Sequence, residues 1–103
     1  MLHLSEESGE VYYLKDKKCS QSEIHEFLLI KSFLSERSRC RLCLHNNPSS
    51  KIQEMIICHL NNCDVPIHAH ISKGETFKVE KGILKYSIFD EKCNLLRENN
   101  IDS

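Results

Sequence analysis

The sequence has no charge of one sign to spare: 14 Lys and Arg face 15 Asp and Glu among 103 residues, a net charge of -1. Without a basic excess there is no electrostatic footprint for nucleic acid or an anionic membrane, and neither is expected as a partner. Long hydrophobic runs are missing as well. Stretches such as residues 27–30 and 55–58 fall far short of the roughly 18 residues that cross a bilayer. The N-terminus, Met1-Leu2-His3-Leu4, turns acidic at Glu6 and Glu7 and lacks the basic start and apolar core of a secretion signal. A cytoplasmic location is therefore expected. No internal repeat or low-complexity tract is visible. With 40% hydrophobic and 28% charged residues, the chain fits one domain with a modest core.

Six cysteines are present, Cys19, Cys40, Cys43, Cys58, Cys63 and Cys93, but a disulfide framework needs an oxidising compartment that the N-terminus does not announce. Reduced thiols follow. Cys40-Arg41-Leu42-Cys43 has the outline of a redox or zinc pair, yet it lies in a strand-like segment with no second pair and no helix start behind it. Small buried hydrophobes are the simpler reading.

Along the chain, residues 1–19 form an N-terminal segment whose Val11-Tyr12-Tyr13-Leu14 run is β-prone, followed by a charged turn at residues 15–18. Ser20 with Glu23 three residues on fits a capping box, and Ile24, Phe27, Leu28, Lys31 and Leu34 fall at helical spacing, which predicts a helix over 20–36. Residues 37–97 read as a β domain with strands at 39–45, 52–60, 65–70, 76–79 and 83–89. Turn-rich separators lie at 46–50, 61–62, 72–74 and 81–82, and 98–103 as a polar tail. Short strands following one helix suggest a mainly β fold, an antiparallel sandwich or barrel rather than a βαβ sheet.

The most chemically telling stretch is His68-Ala69-His70 with Glu75 and Gly82. In an extended segment the two imidazoles point the same way, and a turn through residues 72–74 returns Glu75 toward them. Two His and one carboxylate can hold a first-row divalent metal and leave positions open for water or substrate. Pro66 stiffens the approach, and Gly82 is placed to close the following hairpin.

This segment resembles the first motif of the cupin superfamily, in which HxH is followed by Glu and then Gly; Asn62 stands where the motif usually opens with Gly. The wider stretch, Arg39-Cys40-Arg41-Leu42-Cys43-Leu44-His45, Ile52-Gln53-Glu54-Met55-Ile56-Ile57, Lys73-Gly74-Glu75-Thr76-Phe77 and Ile88-Phe89-Asp90, is similar to the WbuC-type cupin fold metalloproteins. The resemblance implies an antiparallel jelly-roll barrel with Fe, Mn, Zn or Ni on His68, His70 and Glu75, and a link to bacterial surface-polysaccharide metabolism. Only 21 residues follow Gly82, with no His after His70, so the second cupin motif is missing and the barrel is expected to be incomplete. An open barrel exposes strand edges, which makes a homodimer the expected assembly.

A small-molecule ligand is the other expected partner. Arg39, Arg41, Cys43 and His45 share one strand face by alternation, placed either to meet an anionic substrate such as a sugar phosphate or to form a solvated basic edge. Gln53, Met55, Ile57 and His59 form the next lining, Lys73 stands at the rim, and Phe77 and Val79 are expected in the core. Glu6, Glu7 and Glu10 read as solvated. His45 and His59 are further candidates for a replacement metal ligand. Three functions follow: a metal-dependent protein for a small polar metabolite, a non-catalytic dimerising module, or a cysteine-based redox or zinc protein through Cys40, Cys43, Cys58 and Cys63.

Overall fold

The computed structural model describes residues 2–61, 63, 65–66 and 75–102, in two compact units, Met1–Val65 and Pro66–Ser103. The first unit contains β1 (Leu4–Ser8), β2 (Val11–Leu14), α1 (Gln21–Leu34), β3 (Arg39–Cys43) and β4 (Met55–His59), in a sheet of order β1-β2-β3-β4. β1 and β2 form an antiparallel hairpin, and β3 and β4 pair antiparallel. β2 and β3 run parallel, with Val11 beside Arg41 and Tyr13 beside Cys43. This departs from the all-antiparallel expectation. A helix of 14 residues spans roughly 21 Å and carries the chain back to the end of the sheet where β2 began, so β3 enters in the same direction.

The helix begins where its capping chemistry places it. Ser20 Oγ accepts from the Glu23 backbone N–H at 3.1 Å, and the Glu23 carboxylate accepts from the Ser20 N–H at 3.1 Å. One face of the sheet packs against α1. Strand alternation turns Tyr12, Leu14, Cys40 and Leu42 toward Ile24 and Leu28, and Leu42 and Leu28 are almost wholly buried. Phe27 meets Tyr12 edge-on with ring centroids 4.9 Å apart, and the Lys31 ammonium lies over both rings. Ser32 is fully buried and satisfied: its hydroxyl donates to the Leu28 carbonyl at 2.7 Å and reaches the Cys58 carbonyl at 3.4 Å. Leu34, expected on the apolar stripe, is exposed, as are Leu29, Ile30 and Phe33.

The second unit contains β5 (Ile83–Phe89) and β6 (Leu95–Asp102), paired antiparallel. Asp90 organises the turn between them. Its carboxylate accepts from the Lys92 and Asn94 backbone N–H groups at 2.9 Å each, which holds its pKa below the usual value, the Asn94 contact weighing most. Cys93 there adopts φ 63°, a left-handed conformation unfavourable for a side chain. Residues 98–102, expected as a polar tail, are strand. Cross-strand pairing explains this: Glu98 sits opposite Ser87, accepts from its hydroxyl at 3.3 Å, and pairs with the Lys85 ammonium at 3.1 Å. Residues 76–79 are not strand, so Gly82, at φ 92°, shapes the entry to β5 and closes no hairpin behind it. Phe77, expected in the core, is 40% exposed and rests on Tyr86 with ring centroids 4.9 Å apart. Of the expected strand at 65–70, Val65 and Pro66 are irregular and exposed, and the remainder lies outside the described residues.

The described residues are thus mainly β with one helix, and they form no closed barrel.

Candidate functional site

The sheet face away from α1 carries the odd-numbered side chains of the inner strands. Register places Tyr13 beside Cys43, Cys43 beside Met55, Arg41 beside Ile57 and Arg39 beside His59. The connection from β3 to β4 then folds over one end of this face. It is pinned by the Leu44 N–H donating to the Glu54 carbonyl at 2.8 Å and by a turn in which Asn47 Oδ1 accepts from the Ser49 N–H at 3.0 Å. Gln53 Nε2 donates to the Pro48 carbonyl at 2.7 Å. The result is a cleft of about 190 Å³ lined chiefly by Glu7, Tyr13, Arg41, Cys43, His45 and Gln53.

Three of the proposed ligand contacts, Arg41, His45 and Gln53, meet there. His45 is held by its Nδ1, which lies 3.1 Å from both the N–H and the carbonyl of Glu54, and by an edge-on contact with Tyr13, ring centroids 5.7 Å apart. The Glu54 carbonyl already accepts from Leu44, so the neutral imidazole is assigned with Nδ1 accepting the Glu54 N–H and Nε2 carrying the proton. Arg41 is exposed, and its guanidinium touches only the weakly accepting Met55 sulfur at 3.9 Å among the side-chain contacts of the described residues. It retains donors for a ligand.

Arg39 is placed differently. Its guanidinium lies 3.7 Å from Glu10, which also binds Arg37 at 2.8 Å and accepts from the Ser35 hydroxyl. Glu10 is therefore not a solvated carboxylate. The Ser35 hydrogen bond, with the Arg37 guanidinium behind it, holds its pKa below the ordinary 4.5 against the opposing effect of partial burial. Sequence reasoning missed this clasp because its partners are 25 and more residues apart. Lys73 lies outside the described residues.

The cysteines do not form a reactive pair. Three positions apart on a strand, Cys40 faces α1 and Cys43 faces the cleft, and both are buried. Burial, with a contribution from Cys58, pushes the Cys40 thiol up to about 11. Burial also raises Cys43, with Arg41 opposing and Glu7 adding to the effect. Raised thiols are poor nucleophiles and poor metal ligands. His59, beside Arg39, has its pKa lowered by desolvation first and then by the Arg39 and Arg41 charges.

For the proposed metal ligands, Glu75 is exposed in the second unit, and His68 and His70 lie outside the described residues. Among the described residues no three His, Cys, Asp or Glu side chains converge, so His45 and His59 build no centre of their own. The donor set of two imidazoles and a carboxylate itself suits a first-row divalent ion. None of the helices among the described residues is long and apolar enough to cross a membrane.

A model of a domain of unknown function, DUF6016, matches residues 21–101, from the start of α1 into β6. No curated protein and no solved structure matches the chain.

Proposed function

We propose that this chain, which belongs to the DUF6016 family, binds a small polar metabolite with an anionic group, of the sugar phosphate class, in the cleft on the face of its four-stranded sheet away from α1. The convergence of Arg41, His45 and Gln53 on that cleft carries the reading. The Arg41 guanidinium supplies a bidentate, charge-assisted contact to a phosphate, and His45 Nε2–H donates beside it. Glu7, also lining the cleft, accepts hydrogen bonds from hydroxyls. A site with both a guanidinium and a carboxylate favours an anion that also carries hydroxyls over a bare one. The volume is below the roughly 300 Å³ of a typical small-molecule pocket, which suits a head group and part of a sugar ring.

The same proposal keeps the resemblance to cupin metalloproteins. His68, His70 and Glu75 would hold Fe, Mn, Zn or Ni, which polarises a substrate oxygen or activates water when bound. Burial raises the Cys43 thiol above its ordinary value, which makes it a poor nucleophile in the cleft.

Calorimetric titration with glucose 1-phosphate and with glucose tests the cleft. Binding of the phosphate ester, weakened at least 10-fold in Arg41→Gln, is expected, and equal behaviour of the two sugars would remove the anion from the account. Elemental analysis of protein offered each metal tests the ligands separately. Stoichiometric metal in the wild type and loss in His68→Ala is the expected pair of results.

A further inference from the structure

The four-stranded sheet ends in two very different edges. β1 carries Glu6 and Glu7 and breaks its register between Glu6 and Ser8, and charge and a bulge are two of the means by which an edge is kept from pairing. β4 reads Met55-Ile56-Ile57-Cys58-His59, with no carboxylate, Lys, Arg or Pro and a regular register against β3. Among the described residues it is the terminal strand of its sheet.

We propose that the β4 edge is an interface with a second copy of the chain. Two β4 strands pair antiparallel about Ile57, and two four-stranded sheets continue as one. The hydrogen-bond phase supports it. The Leu44 N–H donates to the Glu54 carbonyl and the Leu60 N–H to the Ser38 carbonyl, so by alternation the even-numbered residues of β4 bond inward to β3. The N–H and C=O groups of Met55, Ile57 and His59 therefore face away from β3. These three positions are symmetric about Ile57. A two-fold axis there sets Ile57 against its counterpart and Met55 against His59 of the second copy, making about six backbone hydrogen bonds.

The helix adds apolar surface beside this edge. Phe27 and Lys31 lie over Tyr12 of β2, whereas Ser32 reaches Cys58 of β4. The flank of α1 carrying Ser32 is thus the one nearer β4, and Leu29 and Phe33 share that flank, 47% and 69% exposed. A continued sheet keeps both helices on one side, which sets Leu29 and Phe33 of the two copies toward each other, while Ile57, 48% exposed, meets its counterpart on the opposite face. Charge does not oppose the pairing. The Arg-bearing β3 strands of the two copies are three strand spacings apart, roughly 14 Å, beyond a physiological Debye length of about 8 Å. A second copy suits the edge better than a foreign strand because the outward-facing groups and apolar side chains repeat across one two-fold axis.

Sedimentation velocity at micromolar to millimolar concentration tests the proposal, with two variants. Ile57→Pro removes an N–H that faces outward and leaves the β3 ladder intact, and Ile57→Lys places charge on the axis. A dimer in the wild type and a monomer in both variants, with ligand binding in the cleft retained, is the expected result. Where Ile57→Pro does not fold, Ile57→Lys alone decides. A wild type that stays monomeric, including one that captures an extended peptide instead, or a dimer that survives in Ile57→Lys, overturns the proposal.

Discussion

Replacing Glu10 by Gln separates the clasp at the edge of the sheet face away from α1 from the ligand cleft beside it. Glu10 joins the β1–β2 turn to Ser35 after α1 and to Arg37 and Arg39 at the start of β3. The Arg37 side chain is 67% exposed, and an exposed pair of this kind contributes about 0–1 kcal/mol. The hydroxyl bond to a charged acceptor contributes about 1.5–3 kcal/mol, part of which a Gln carbonyl retains. A net loss of about 1–2 kcal/mol is expected, or about 4–16 °C in Tm for a unit of this size. The pH dependence follows in sign. The folded pKa of Glu10 lies below its ordinary 4.5, so its stabilisation is full above that value and lost as pH falls through the folded pKa. Wild type and Glu10→Gln should differ at neutral pH and converge in acid. At the same time the variant removes a negative charge beside Arg39. At roughly 10 Å in a water-like dielectric this is worth about 0.4 kcal/mol, a 2-fold tightening of a sugar phosphate that salt suppresses. Urea denaturation across pH and calorimetry at two salt concentrations measure both effects. An unchanged stability at neutral pH would refute the clasp.

Leu42→Ala, at the fully buried centre of the first unit, should cost about 2–5 kcal/mol by urea denaturation. Cys93→Gly should relieve the left-handed strain at φ 63° and stabilise the hairpin by up to about 1 kcal/mol, read as slower amide exchange in β5 and β6. Because the Cys40 thiol is raised from 9.0 to about 11, its contribution is intact below pH 9 and lost as pH rises through 11. Loss of stability over that alkaline interval should therefore be smaller in Cys40→Ala, whatever that variant's starting stability. In thiol labelling of the native protein, exposed Cys93 should react well before buried Cys40 and Cys43.

Local signals were the legible ones. Ser20 and Glu23 announced the helix start, and the β-prone residues of 11–14, 39–45 and 83–89 announced β2, β3 and β5. The odd-numbered face of β3 followed from period two alone, which is why Arg41 and His45 were found. The parallel pairing of β2 with β3 was not legible, because it depends on where the helix returns the chain. Nor was β1, whose Leu-Ser-Glu-Glu-Ser has a single apolar residue and is held by backbone pairing to β2. β6 hid for a like reason, its middle residues 97–100 being polar and exposed. Arg39 shares a face with Arg41, yet a glutamate 29 positions earlier claims it, a contact no local pattern announces.

The most direct test of the cleft is a heteronuclear NMR titration of the wild-type chain with glucose 1-phosphate. The account predicts saturable shifts concentrated on Tyr13, Arg41, Cys43, His45 and Gln53, absent in Arg41→Gln. Shifts confined to other strands, or none at millimolar ligand, would contradict it.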